Sequence, residues 1–149
     1  MAKFTFSLEA VLRIKMQREE SVKNELGKAI QKLEAEKQKL AELENTVEEI
    51  TEQFNRKAKK TTVRKLIEFN EYLSFLDTKI KQQKENVNNA ASNVDKVREE
   101  LLQAVKERKI LEKLKERKYN EFLLEQKKLE QKTNDEIVSF KHKAGTVGD

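Results

Sequence analysis

The sequence predicts an all-α fold, two long helices forming an antiparallel coiled-coil hairpin with a C-terminal helical overhang. Three observations carry this prediction. A first heptad seam runs through Leu8, Leu12, Lys15, Glu19, Val22, Leu26, Ala29, Leu33, Glu36, Leu40, Leu43, Val47, Ile50 and Phe54. A second runs through Leu66, Phe69, Leu73, Leu76, Ile80, Gln83, Val87, Ala90, Val94, Val97, Leu101, Ala104, Arg108 and Leu111. Alternating steps of three and four keep one stripe facing a partner helix, the signature of a coiled coil. The third observation is that the seams do not share a phase. Continued past Phe54, the first would fall on Lys57, Thr61, Arg64 and Glu68, whereas the second uses Leu66 and Phe69. A turn between two helices explains the break. One continuous rod does not.

Composition agrees. Ala, Glu, Lys, Leu and Arg supply 81 of 149 residues, charged residues make 40%, and there is no Pro, Trp or Cys. Such a chain buries a narrow stripe rather than a layered core. The reading is therefore a single coiled-coil domain over residues 1–149, with helix 1 at about 7–57, the turn at about 58–63, helix 2 at about 64–141 and a tail at 142–149.

Each element has local reasons. Ser7 is a capping residue ahead of Glu9, which suits the positive end of a helix dipole. Phe6 and Val11 have the spacing of a hydrophobic staple. Residues 55–65 hold only Ala58 and Val63 as apolar groups, and Thr61-Thr62-Val63 is a β-branched run of reduced helix propensity. Thr61 and Thr62 are both candidate caps for helix 2. Gly145 is its candidate stop. Beyond Leu111 the seam loses regularity, and a four-residue stutter near Lys115 would reconcile several of the later apolar positions.

Closing the hairpin near residue 60 makes partner numbers sum to about 120. Phe54 then meets Leu66, Leu33 meets Val87, and the polar interruptions Glu36 and Gln83 face each other. Leu8 lies near Glu112. Residues from about 115 to 141 are left without a partner, although they carry Tyr119, Phe122, Leu123, Leu124 and Leu129. Unpaired apolar groups on a helix seek a partner surface. Another molecule, a second copy of this chain or a local bend back of the helix supplies that surface for Tyr119, Phe122 and Leu123, which stand in the basic segment of Lys113, Lys115, Arg117 and Lys118.

Charge is uneven. Residues 34–52 hold seven acidic and two basic side chains, residues 55–65 hold six basic and no acidic ones, and residues 105–132 hold ten basic and six acidic. A run of like charge is most often a solvated face. Most basic residues outside the turn are interleaved with Glu, which argues against nucleic acid as the partner. No apolar run approaches the ~20 residues of a membrane span, and Met-Ala-Lys-Phe-Thr-Phe lacks a signal core.

Enzyme chemistry finds no foothold. Glycine stands only at 27, 145 and 148, so there is no phosphate loop. His142 is the sole histidine and lacks neighbouring ligands for a metal or a catalytic pair. No cofactor, metal or small-molecule ligand is expected. Protein contact is. Tyr72 and Phe75 lie just off the second seam, where they are either binding anchors or seam-edge packing.

Four segments resemble the flagellar type III export family FliJ: Phe4 to Leu12 (FTFSLEAVL), Phe69 to Ile80 (FNEYLSFLDTKI), Glu107 to Lys118 (ERKILEKLKERK) and Glu125 to Ile137 (EQKKLEQKTNDEI). Their order, spacing and the total length carry the resemblance. It implies a non-enzymatic coiled coil similar to the central stalk of rotary ATPases. It also implies three partners: the hexameric flagellar export ATPase, which such proteins bind and stimulate, the cytoplasmic domain of the membrane export gate, and export chaperones, which they escort. A monomeric hairpin at the cytoplasmic face of the membrane is the corresponding expectation. By resemblance, the gate contact maps to Leu43, Thr46 and Ile50 on helix 1 and to Tyr72, Leu76, Lys79 and Gln83 on helix 2, with Phe75 beside them. Thr46 and Lys79 depart from the aromatic and small residues usual at those positions. By the same resemblance the joined ends and the overhang would enter the ATPase ring, whose inner sleeve would cover Tyr119, Phe122 and Leu123 while acidic groups meet Lys113, Lys115, Arg117 and Lys118. Two other readings stand beside this one: a stalk protein of a related injectisome or rotary ATPase, and a generic homodimeric structural coiled coil.

Overall fold

The computed structural model describes residues 2–147, with side chains to residue 145. It is all-α, an antiparallel coiled-coil hairpin of two long helices. Helix α1 spans Glu9–Lys57, a 3-10 turn covers Ala58–Lys60, and α2 spans Val63–Val147. At 1.5 Å per residue α1 is roughly 74 Å long.

α1 begins two residues after the expected cap. The Glu9 N–H donates to the Phe6 carbonyl at 3.1 Å, closing a turn over Ser7 and Leu8, and the Leu12 N–H then donates to the Leu8 carbonyl at 2.9 Å. The two threonines of the connection divide the capping work. The Thr61 hydroxyl donates to the Lys57 carbonyl at 2.9 Å, satisfying an acceptor that the end of α1 leaves open. The Thr62 hydroxyl accepts from the Lys65 N–H at 3.3 Å and caps α2. Thr61 itself is extended, at φ −90° and ψ 140°. No described residue takes a positive φ, so this turn needs no glycine. At its far end α2 passes through Gly145, where a stop was expected, since glycine also accepts right-handed helical angles.

The chain forms two compact units, residues 19–103 and residues 1–18 with 104–149. In the first, the arms on either side of the turn pack seam to seam. Val22, Ala29, Leu76, Ala90, Val94 and Val97 are buried, and Leu26, Leu33, Leu40, Leu73, Ile80 and Val87 are half-buried. Two polar seam residues meet inside: the Gln83 amide donates to the Glu36 carbonyl at 2.9 Å and to the Glu36 carboxylate. Asn86 in turn donates to the Gln83 amide oxygen at 3.1 Å. A satisfied polar pair on an apolar seam costs stability but pins the register.

The register drifts toward the turn. Phe54 stacks on Phe69, with centroids 4.0 Å apart and planes 8° from parallel, rather than on Leu66. Leu66 is 41% exposed. The 3-10 turn and the extended Thr61 occupy the connection, so the first turn of α2 finds less of α1 beside it, and the first full seam contact falls one turn later.

The second unit pairs the start of the chain with α2. Leu12 and Ala104 are buried. Lys15 bonds Glu107 at 3.1 Å, and Lys115 pairs with Glu9 at 2.8 Å. The non-helical segment carries the pairing further. The Phe4 ring meets Tyr119 edge-on at 5.2 Å and Phe122 at 5.6 Å. The expected overhang therefore starts later than residue 115. A non-helical stretch advances up to ~3.3 Å per residue against 1.5 Å in a helix, so residues 2–8 reach further along α2 than helical counting allows. Leu111, Lys115, Tyr119, Phe122 and Gln126 follow steps of four, four, three and four, which is the spacing of a stutter. From residue 127 to 145 every side chain is exposed.

Candidate functional surfaces

The predicted gate residues lie in the 19–103 unit and separate into inner and outer groups. Leu76 and Gln83 are buried at 4% and 8% exposure, and Gln83 is occupied by Glu36. Leu43, Thr46 and Ile50 are half-buried on α1, and the Thr46 hydroxyl is held by the Glu42 carbonyl at 2.9 Å. Tyr72, Phe75 and Lys79 form an outward stripe at helical spacing. The Tyr72 and Phe75 rings lie 6.3 Å apart and 19° from parallel, and the Lys79 ammonium sits 5.3 Å from the Phe75 centroid. This cation–π contact orders an exposed aromatic pair. Tyr72 is 45% and Phe75 54% exposed, so their rings offer apolar area without breaking the seam.

The predicted ring residues lie in the other unit. Tyr119 and half-buried Phe122 are partly covered by Phe4. Lys115 is committed to Glu9, and Lys118 pairs with Glu121 at 3.6 Å. Lys113 and Arg117 face outward and flank a shallow hollow with Ile110 and Leu114. Leu123 is 47% exposed. Further along α2, Leu124, Leu129, Ile137, Val138 and Phe140 are all exposed, Phe140 at 74%.

Phe4 was missed as a packing residue because it precedes the helix and stands on neither seam. Ile110 was missed because it lies off the seam; its apolar side chain inside a basic helix was the available signal.

Among the described residues no cluster of three His, Asp or Glu could hold a metal ion, and no helix is long and apolar enough to cross a membrane.

The family described as Flagellar FliJ protein matches residues 4–145, nearly the whole length. The chain belongs to the FliJ family. No curated protein sequence matches it. Among solved structures it is similar to a Chlamydia trachomatis protein described as a YscO homolog, at 25% identity and a TM-score of 0.80. That match covers 99% of this chain and 100% of the other. Membership of the FliJ family, together with this fold, assigns the chain to the type III export apparatus.

Proposed function

We propose that this FliJ-family chain is a non-enzymatic, stalk-like subunit of flagellar export. It binds and stimulates the export ATPase ring through the latter part of α2, contacts the cytoplasmic domain of the export gate through Tyr72, Phe75 and Lys79, and escorts export chaperones. It works at the cytoplasmic face of the membrane. The observation that carries the reading is the exposed stretch 127–145, which keeps large apolar groups such as Leu129, Val138 and Phe140 more than half exposed on a continuous helix. A sleeve formed by a ring supplies the cover that such groups lack. Lys113 and Arg117, exposed on the same helix beside Ile110 and Leu114, speed the approach to an acidic rim.

Hydrolysis of ATP by the partner enzyme tests the ring contact. Full-length protein should stimulate it, and a chain ending at Gln126 should not. Full stimulation by the shortened protein would move the contact elsewhere. For the gate, Tyr72→Ala should weaken binding to the gate's cytoplasmic domain by more than ~1 kcal/mol, the cost of losing an interface anchor, with helicity unchanged. Unaltered affinity would remove Tyr72 from that surface.

A second reading, a stalk in an injectisome, is favoured by the likeness to the YscO homolog. Binding assays against a flagellar and an injectisome export ATPase in parallel distinguish the two.

A further inference from the structure

The hairpin turn carries a feature that shares only Ile50 with the residues mapped to the gate and none with those mapped to the ring. A cleft of about 560 Å³ opens beside it, floored by Ile50, Phe54 and Phe69 and rimmed by Lys57, Lys60 and Lys65. All three floor residues are half-buried and all three lysines are exposed. Six basic and no acidic residues occupy positions 55–65. Only Arg64 among them is paired, with Glu68 at 3.9 Å; among the described residues Lys57, Lys60 and Lys65 have no carboxylate within ion-pair reach. Helix electrostatics account for part of this charge, since Arg56 and Lys57 suit the negative end of α1. They do not account for Lys65. It stands in the first turn of α2, which carries no acidic residue, and a cation there opposes the helix dipole.

We propose that this cleft docks an acidic, extended peptide segment of a partner protein, one bulky apolar side chain entering between the lysines while flanking carboxylates pair with them. Charge complementarity selects the acid, and the recessed apolar floor selects the anchor. Nucleic acid fits less well. Phe54 and Phe69 spend their facing surfaces on each other at 4.0 Å, and the cleft offers no further aromatic ring for a base to stack on. An anionic bilayer would meet the lysines but would leave the recessed floor empty. The inference does not depend on assigning Tyr72 and Phe75 to the gate.

The test uses the full chain and a fluorescently labelled peptide, Asp-Glu-Asp-Leu-Phe-Glu-Asp-Glu, followed by anisotropy. Saturable binding that weakens with salt is expected. Replacing the central Leu-Phe by Ser-Ser should weaken it about tenfold or more, the loss of one or two buried apolar side chains. Lys57→Glu, Lys60→Glu and Lys65→Glu together should weaken it at least about tenfold. Arg13→Glu, Lys106→Glu and Lys109→Glu together, the same change of charge on exposed positions of the other unit, should leave it unchanged. If the turn variant loses helicity, Lys57→Gln and Lys65→Gln singly should each give a smaller loss. Equal binding of the Ser-Ser peptide would reduce the site to a general polyanion surface and overturn the proposal. So would equal weakening by the two charge changes, absence of binding, or preferential binding of a single-stranded oligonucleotide or of phosphatidylglycerol vesicles.

Discussion

Leu76 and Leu129 lie on the same helix, in similar Lys- and Glu-rich sequence, and meet opposite surroundings. Leu76 is 4% exposed and Leu129 57%. Around Leu76 the opposite arm supplies a second seam, so the same helix that is stable there is also covered. Around Leu129 every described side chain from 127 to 145 is exposed. Amphipathic sequence makes a helix with an apolar stripe, but burial needs a second surface. In the 19–103 unit that surface is intramolecular. For residues 127–145 every described side chain is exposed, and the proposed export ring is the second surface.

The largest expected effect separates function from stability. Removing residues 127–149 should abolish stimulation of the export ATPase, yet shift the melting midpoint by less than about 4 °C, because no described side chain from 127 to 145 is buried. A large drop in melting temperature would mean that the distal helix stabilises the hairpin, and the contrast would collapse.

Single truncations sharpen the same contrast. Leu76→Ala should cost about 2–5 kcal/mol in chemical denaturation, as for a buried leucine. Leu129→Ala should stay within about 0.5 kcal/mol, as for a surface site. Similar costs at both would show that Leu129 is covered in solution. Gln83→Ala should destabilise by about 1–3 kcal/mol, since it removes the bonds to the Glu36 carbonyl and carboxylate and leaves the carboxylate only Lys39, at 3.9 Å. The smallest effect is a gain. Gly27 is exposed within α1, and a Cβ there would meet nothing within 4 Å. Gly27→Ala should therefore raise stability by roughly 0.5–1 kcal/mol. A loss on that substitution would point to a contact in solution at this face.

Much of the hairpin was legible in the sequence. The two seams identified the inner faces, and of their positions only Leu8 and Leu66, at the two ends of the pairing, are exposed. The phase break located the turn, and the pairing of Glu36 with Gln83 followed from a register near 120. The candidate surfaces were less legible. The residues named for the gate mix seam and flank, because a family position says which residue matters but not which way its side chain points. Leu76 and Gln83 turn inward while Tyr72, Phe75 and Lys79 turn outward. The ring residues were named as uncovered, yet Phe4 reaches two of them.

Heptad periodicity is a local property, since each helix presents its own stripe every 3.5 residues. The sequence by itself therefore determined the helices, the faces they bury, the antiparallel pairing and the polar pair within the seam. What lies across from each stripe depends on how far every segment advances along its partner. The non-helical approach of residues 2–8 and the extended Thr61 advance further per residue than a helix does. Only the tertiary structure therefore decided that Phe54 stacks on Phe69, that Phe4 covers Tyr119 and Phe122, and that the uncovered helix begins at residue 127.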